Sequence, residues 1–368
     1  MAELTDPRVP LDEALPAARE ATRAFLAALD PGARLVVFCH FDADGLGAGA
    51  VLGRVLPRLG FRDVRVVPSL RGESAFSDEA RARLAALAPA ALVVTDLGVH
   101  HAGVLPGVPT LYVDHHRPEG TPPPPAVVVS GYGWEPIPSS AWLAYELVAP
   151  LAEVDDLLWV AAVGVVSDLG EKAPWPRLAE AKRRWTAKWL KEAVALVNAA
   201  RRASAFDIET PLALLMRAEH PREVAEDTTG GAERLRAYRA EVHAALAQAR
   251  KAAPTFATGS PWALLRMESA CQVHPLIAQQ WRTRLPKYVV LAANRGYLPG
   301  IIAFSARTSR TDLSIPPLLQ AIDVGAHGGS YGHGHDQASG GQLPPAAFAR
   351  LGAALGFPDA VGEWARGG

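Results

Sequence analysis

Leu35-Val36-Val37-Phe38-Cys39-His40-Phe41-Asp42-Ala43-Asp44-Gly45 passes from an apolar run directly into a histidine and two aspartates. Three further acidic groups follow the same arrangement, each immediately after an apolar stretch: Thr95-Asp96-Leu97-Gly98, Asp114-His115-His116 and Ser167-Asp168-Leu169-Gly170. Runs of this kind are buried strands or helices, and an open α/β sheet delivers their last residues to one rim. Carboxylates and imidazoles gathered there would repel and desolvate one another, so the pattern predicts a divalent cation among them.

Outward from that motif, short β-rich runs alternate with longer amphipathic stretches. Leu35–Phe38, Val64–Val67, Ala91–Thr95, Thr110–Val113 and Val127–Val129 read as strands, and such alternation implies a mainly parallel α/β sheet with flanking helices. Prolines at 122 to 125 force a non-helical connection. Residues 139–149 and 155–168 read as helices, the second so continuously apolar that it must be buried on most sides. Residues 178–202, 210–218 and 231–251 read as a helical connector. Trp262–Met267, Tyr288–Ala292 and Gly300–Ser305 are strand-like, with a helix over 274–284, which makes a second, smaller α/β domain. The expected organisation is an N-terminal helical extension at 1–33, a catalytic domain at 34–177, the connector at 178–257 and a substrate-binding domain at 258–368. The stretch 325–341, rich in Gly and His, reads as a loop whose backbone amides can converge on an anion.

Composition sets the class. The chain has 368 residues, 49% hydrophobic and 20% charged, enough for packed cores of two or three domains. Its formal net charge of -1 excludes a globally basic nucleic-acid scaffold, though a local basic groove fits inside a neutral total. Two distant cysteines, Cys39 and Cys271, and the lack of a signal peptide or bilayer-length apolar span imply a cytoplasmic, reduced protein with no membrane partner.

Along an extended segment, alternation would put His40, Asp42 and Asp44 on one face, a geometry suited to metal ligation. Gly45-x-Gly47-x-x-Ala50 satisfies a dinucleotide-binding fingerprint, but Asp42 and Asp44 stand where a pyrophosphate would approach and no acid closes Val64–Val67. The small residues are better read as letting a helix pack close to the sheet. Asp96 and Asp168 taken singly look like turn or cap residues. Asp114 is placed to accept from an imidazole bound to a metal. Trp142, Trp159, Trp185 and Trp189 read as packing residues, while His100 and His101 read as loop residues near the rim.

Taken together, HxDxDG, an isolated Asp, DHH and another Asp resemble the DHH phosphoesterase superfamily. Asn198-Ala199-Ala200-Arg201-Arg202 resembles the N-A-A-G-R segment of its RecJ-like branch, Phe304-Ser305-Ala306-Arg307-Thr308 resembles the G-S-x-R-S strand, and Gly334-His335-Asp336-Gln337-Ala338-Ser339-Gly340-Gly341 resembles the G-H-P-x-A-A-G-G loop of the DHH-associated C-terminal domain. Arg201, Phe304 and Asp336 depart from these patterns. The resemblance implies that His40 and Asp42 hold one metal, that Asp44, His115 and Asp168 hold another, and that Asp96 bridges them. It implies catalytic roles for Asp96, Asp114 and His116, and substrate contacts from Arg202, Arg307, Gly334, His335 and Gly340. Mixed imidazole and carboxylate ligands suit a pair of Mn2+ ions, with Mg2+ a weaker substitute. The implied activity is hydrolysis of single-stranded DNA or RNA, or of short oligonucleotides, from an end. The chain leaves no room after residue 356 for the further oligonucleotide-binding domain of full-length bacterial RecJ proteins, which favours short substrates. Alternatives are a small-nucleotide phosphatase or phosphodiesterase acting on a cyclic dinucleotide or 3′-phosphoadenosine 5′-phosphate, and a catalytically silent binding protein of a replication assembly. Oligomeric state is not legible.

Overall fold

The structure is a computed structural model and describes residues 8–325 and 330–366. The chain forms two compact units: the first takes in the chain up to Arg201 together with Phe206–Ala237, the second takes in Arg202–Ala205 and the chain from Tyr238 onward. The stretch 178–257 contributes residues to both.

In the first unit, β1 (Val9–Pro10) leads into α1 (Leu11–Ala27), β2 (Arg34–Cys39), α2 (Ala43–Val55), β3 (Asp63–Pro68), α3 (Asp78–Ala85), β4 (Ala91–Thr95), β5 (Thr110–Asp114), β6 (Ala126–Ser130) and β7 (Trp134–Glu135). Then follow α4 (Ser140–Val148), α5 (Leu158–Leu169), α6 (Pro176–Trp185), α7 (Ala187–Arg202), α8 (Glu209–Arg217) and α9 (Pro221–Glu226), with α10 (Gly231–Ala249) running on into the second unit. Among the described residues five strands pair in the order β3-β2-β4-β5-β6, every pair parallel. Parallel strands are buried on both faces, which is why they read as unbroken Val/Leu/Phe runs rather than alternating ones. All of them point the same way, so Cys39, Thr95 and Asp114 close neighbouring strands on one edge.

The small residues of α2 act as expected. A Cβ at Gly49 would lie 2.8 Å from Cys39 Sγ, and one at Gly47 would lie 3.2 Å from the Val160 carbonyl, so α2 fits closely against both β2 and α5. Leu158–Val165 of α5 are buried throughout, as their unbroken apolarity requires. Trp142, Trp159 and Trp185 are likewise core residues.

The second unit contains β8 (Thr255–Phe256), β9 (Trp262–Met267), α11 (His274–Arg284), β10 (Val289–Leu298), β11 (Ile301–Thr308), α12 (Ile315–Gln320), β12 (Ser330–His335), β13 (Ala338–Leu343), α13 (Pro345–Ala354) and α14 (Pro358–Arg366). Its sheet runs β12-β13-β11-β10-β9-β8, antiparallel except for β9 with β10. Two expectations are corrected here. The Gly/His-rich stretch is not wholly a loop, because residues 330–343 form the β12–β13 hairpin, with residues 326–329 outside the described part. The helix expected over 178–202 is two helices, broken where Thr186 takes a left-handed backbone, φ 61°.

The packing of α5 on α2 yields a test. A Cβ at Gly164 would sit 2.4 Å from the Ala141 Cβ and 2.8 Å from Asp44 Oδ1. Gly164→Ala should lower stability by about 1–3 kcal/mol, as overpacking does, and should also displace the Asp44 carboxylate. Thermal melting with and without Mn2+ checks both effects: the midpoint should fall and the increment from metal should shrink, whereas unchanged values would show that the helices give way.

Candidate functional site

The rim formed by the ends of β2, β4 and β5, with the start of α2 and the end of α5, gathers seven ionisable side chains. The first correction concerns how they arrive. His40, Asp42 and Asp44 do not share a face of one extended segment, because β2 ends at Cys39 and α2 begins at Ala43. Asp42 is the N-cap of α2, accepting from the Asp44 and Gly45 amides at 3.1 Å each. Its carboxylate stays with His40, whose Nδ1 lies 3.3 Å from Asp42 Oδ2 and 3.6 Å from Asp96 Oδ2. Asp44, one step into the helix, turns to the other side, where His115 Nε2 lies 4.0 Å from its Oδ2. The turn from strand to helix therefore divides the motif between two groups.

Asp96 stands between them. Its Oδ2 faces His40, and its Oδ1 lies 3.3 Å from His115 Nε2 and accepts a hydrogen bond from Ser140 Oγ at 3.0 Å. The Asp96 side chain is buried and its backbone is left-handed, φ 63°, a conformation that costs an L-residue energy and persists only where surroundings impose it. Asp168, at the end of α5, brings Oδ2 to 3.8 Å from His115 Nδ1. His40, Asp42 and Asp96 each offer a ligand atom within 4.8 Å of the others, as do Asp44, His115 and Asp168, and as do Asp96, His115 and His116.

Asp114 is almost fully buried and stands behind this cluster. It accepts from the Gly98 amide at 2.8 Å and the His116 amide at 2.7 Å, and its Oδ1 lies 3.1 Å from His116 Nδ1. The carboxylate therefore orients the His116 ring, whose side chain is 46% exposed while that of His115 is 7% exposed. His100 packs against Phe76 and against His101 in the loop after β4, outside these groups.

Sequence reasoning placed a helix at 139–149 but gave its first residues no part in the site. Ser139 caps it, accepting from the Trp142 amide, while the Ser140 and Ala141 amides donate to the Asp44 carboxylate at 2.8 and 3.0 Å. The positive end of a helix thus steadies Asp44. The signal was present: Ser139-Ser140 ahead of an apolar run is an N-cap signature.

Electrostatics show why these groups need company. Burial disfavours a charged His40, but Asp42 and Asp96 outweigh it and push the imidazole up to about 10. His115 is likewise held at about 10 by Asp96, Asp44 and Asp168 against the effect of burial. Asp44 is raised well above the usual carboxylate range by burial, then by Asp96 and Asp168, and burial also raises Asp168. Asp42 is held well below that range because His40 overcomes its burial, and Asp96 is lowered by His115 and His40 despite burial and Asp42. The mixture of carboxylate oxygens and imidazole nitrogens, closely spaced and partly buried, fits divalent transition ions.

The expected substrate contacts lie in the second unit. Arg307 on β11 donates from one Nη to the carbonyls of Ala306 and Ser339 at 2.9 and 3.0 Å. Burial, then nearby Arg282, weakens its charged form. Strand register sets Gly340 between Ser305 and His333, and Ala338 between Arg307 and His335. Gly334, at φ 132°, could not carry a side chain, because a Cβ there would lie 2.3 Å from the Ala338 carbonyl. The Arg202 carbonyl accepts from the Gln272 amide at 2.8 Å. The side chain of His335 lies outside the described residues. His274 is buried at the start of α11 and pushed down to about 3 by burial and then by Arg307.

Fold and site define an α/β protein with an aspartate–histidine cluster on the carboxyl edge of a parallel sheet. Known structures make that class specific. A RecJ structure from Thermus thermophilus in complex with Mn2+ matches with a TM-score of 0.66 at 22% identity, covering 92% of this chain and 54% of that one. A structure of exonuclease RecJ bound to manganese matches at TM-score 0.65 and 23% identity, covering 92% of this chain and 94% of that one. The DHH domain of a member of a family of ribosomal proteins matches at TM-score 0.65 and 15% identity, covering 94% of this chain and 91% of that one. The chain thus has the RecJ-like DHH fold, and it spans about half the length of the Thermus protein. No protein-family model and no curated protein sequence matches it. Among the described residues no helix is long and apolar enough to cross a membrane.

The raised imidazoles set a pH dependence. A group whose pKa is raised in the fold stabilises it fully below its unfolded value and loses that contribution as pH rises through the folded value. For His40 and His115 the window runs from the ordinary 6.5 to about 10. The metal-free protein should weaken across that range, while cation binding, which requires ligand nitrogens to shed protons, should strengthen. The melting increment from a fixed Mn2+ concentration should therefore grow from about pH 6 to about pH 8; an increment that shrinks would contradict this protonation scheme.

Proposed function

We propose that this chain is a metal-dependent phosphodiesterase that hydrolyses single-stranded nucleic acid or short oligonucleotides from an end. The observation that carries the reading is Asp96, whose two oxygens face two different ligand groups: Oδ2 toward His40 and Asp42, Oδ1 toward His115. A carboxylate in that position suits two cations held side by side, with His40 and Asp42 on one and Asp44, His115 and Asp168 on the other. Mn2+ suits the donor set, with Mg2+ as a substitute. When bound, such a pair supplies an activated water and neutralises charge on a phosphoryl group during in-line displacement.

The residues themselves fix the geometry. Asp44 is restrained by two helix N–H groups and Asp96 by the Ser140 hydroxyl, so the ligand positions are set before substrate arrives. Asp114 holds the Nδ1 side of His116, leaving Nε2 for the scissile phosphate. Against partial desolvation, Asp114 raises the pKa of this half-exposed ring, which favours the protonated form that could donate to a phosphoryl or leaving oxygen. Its exposure beside the buried His115 supports that division of labour. Arg202 and Arg307 would bind substrate phosphates, with Gly334, His335 and Gly340 contributing backbone or side-chain contacts, and the protein would act in the cytoplasm.

The reading is tested by incubating the purified chain and Mn2+ with 5′- and 3′-labelled DNA and RNA oligonucleotides of graded length, beside cyclic dinucleotides and 3′-phosphoadenosine 5′-phosphate. A product ladder from one end is expected; hydrolysis confined to the small nucleotides would replace the substrate class, and no metal-dependent hydrolysis would end the proposal. His116→Ala should lower kcat by about 100-fold or more while Mn2+ binding persists. Arg307→Ala should instead raise KM by about tenfold to a hundredfold, the worth of a charge-assisted phosphate contact, and a lowered kcat at unchanged KM would contradict its assignment to binding.

A further inference from the structure

Beside the ligand cluster the first unit carries an aromatic corner that none of the site chemistry uses. Phe41 lies between His40 and Asp42, with its ring centroid 4.2 Å from that of His40. Phe206, which follows α7, meets Phe41 edge to face at 5.1 Å and 76°. Both rings are half-buried rather than enclosed in the core. An arginine lies over each, Arg71 at 5.0 Å from the Phe206 centroid and Arg201 at 5.9 Å from that of Phe41.

Packing alone does not account for this arrangement. Phe206 holds a left-handed backbone, φ 50°. A bulky residue there pays a conformational cost that glycine would not, and the side chain so placed reaches a partly solvated partner instead of the core. The surrounding chemistry selects planar, electron-rich or anionic ligands. Edge-to-face rings present flat surfaces at right angles, so a planar base laid on one ring meets the other at its edge. Guanidiniums over the rings add cation–π attraction and positive charge for phosphates flanking such a base.

We propose that Phe41 and Phe206, backed by Arg71 and Arg201, form a stacking seat for one nucleobase adjacent to the scissile phosphate. The inference rests on the phosphodiesterase reading and deepens it: a base seated there is withdrawn from pairing and stacking, so the seat selects single strands by the terminal nucleotide itself. Stacking tolerates every base because each has a π face, so the seat gives strand selectivity without sequence selectivity.

The experiment compares oligonucleotides carrying an abasic residue at either of the last two positions of each end with the intact sequence, using the Mn2+-loaded full chain. In wild type, one abasic position should lower kcat/KM by about tenfold or more, the typical worth of a base–aromatic stack. Phe206→Gly removes the ring while suiting the left-handed backbone; it should melt no lower than wild type, cleave the intact strand as poorly as the abasic one, and lose all discrimination. Phe206→Leu should behave like Phe206→Gly in discrimination, and Phe206→Tyr should keep the wild-type preference. Wild type that cleaves intact and abasic strands equally, or ring-less variants that still discriminate, would overturn the seat while leaving the phosphodiesterase reading in place. Wild type that cleaves no strand would overturn both.

Discussion

Mutual repulsion of closely spaced carboxylates, with Asp44 and Asp96 buried among them, is the constraint on the acidic edge of the first unit. Asp42 and Asp96 belong to one ligand group and Asp44 and Asp168 to another, with ligand atoms within 4.8 Å in each. Each like-charge pair at that spacing costs on the order of 3–4 kcal/mol at an effective dielectric near 20. The repulsion is relieved from both sides: burial and then Asp96 raise Asp44 toward its neutral form, while nearby carboxylates outweigh burial and raise His40 and His115 toward their charged forms.

The scaffold holds the cluster in place by backbone means. Parallel strands with coincident ends deliver Cys39, Thr95 and Asp114 to one edge, and residues just beyond them turn inward. Asp96 does so in a left-handed conformation, Asp42 by capping α2, and Asp44 by accepting from the first amides of α4. Close packing of α2 on α5 through Gly47 and Gly164 fixes the distance between the helix that carries Asp44 and the one that carries Asp168. Ser140, Asp114 and Gly164 hold or crowd the cluster from behind: Ser140 donates to Asp96, Asp114 accepts from the Gly98 and His116 amides, and a Cβ at Gly164 would meet Asp44.

Most of this fold could be read from the residues, because parallel strands buried on both faces leave apolar runs that turn chemistry interrupts. Ala91–Thr95 and Trp262–Met267 fall where the runs fall. The cluster was legible for the same reason: an acid directly after such a run has to sit at the sheet edge. The path between strand and helix was not. Periodicity cannot distinguish His40-Phe41-Asp42-Ala43-Asp44 as an extended segment from a strand end followed by a cap, since the cap is decided by which amides need an acceptor. The β12–β13 hairpin was hidden by its glycines, which disfavour strands generally but are required where Gly334 approaches the Ala338 carbonyl. Phe206 carried no signal at all, because a left-handed phenylalanine in a connection looks like any loop residue until its partner is known.

The central claim is that two cations share Asp96. Electron paramagnetic resonance of the chain titrated with Mn2+ tests it directly, because ions bridged by one carboxylate are exchange-coupled and isolated ions are not. The account predicts two Mn2+ per chain with a coupled spectrum, one uncoupled ion after His40→Ala or Asp168→Ala, and loss of coupling after Asp96→Ala. Saturation at a single Mn2+, or two ions that never couple in the wild-type chain, would contradict it.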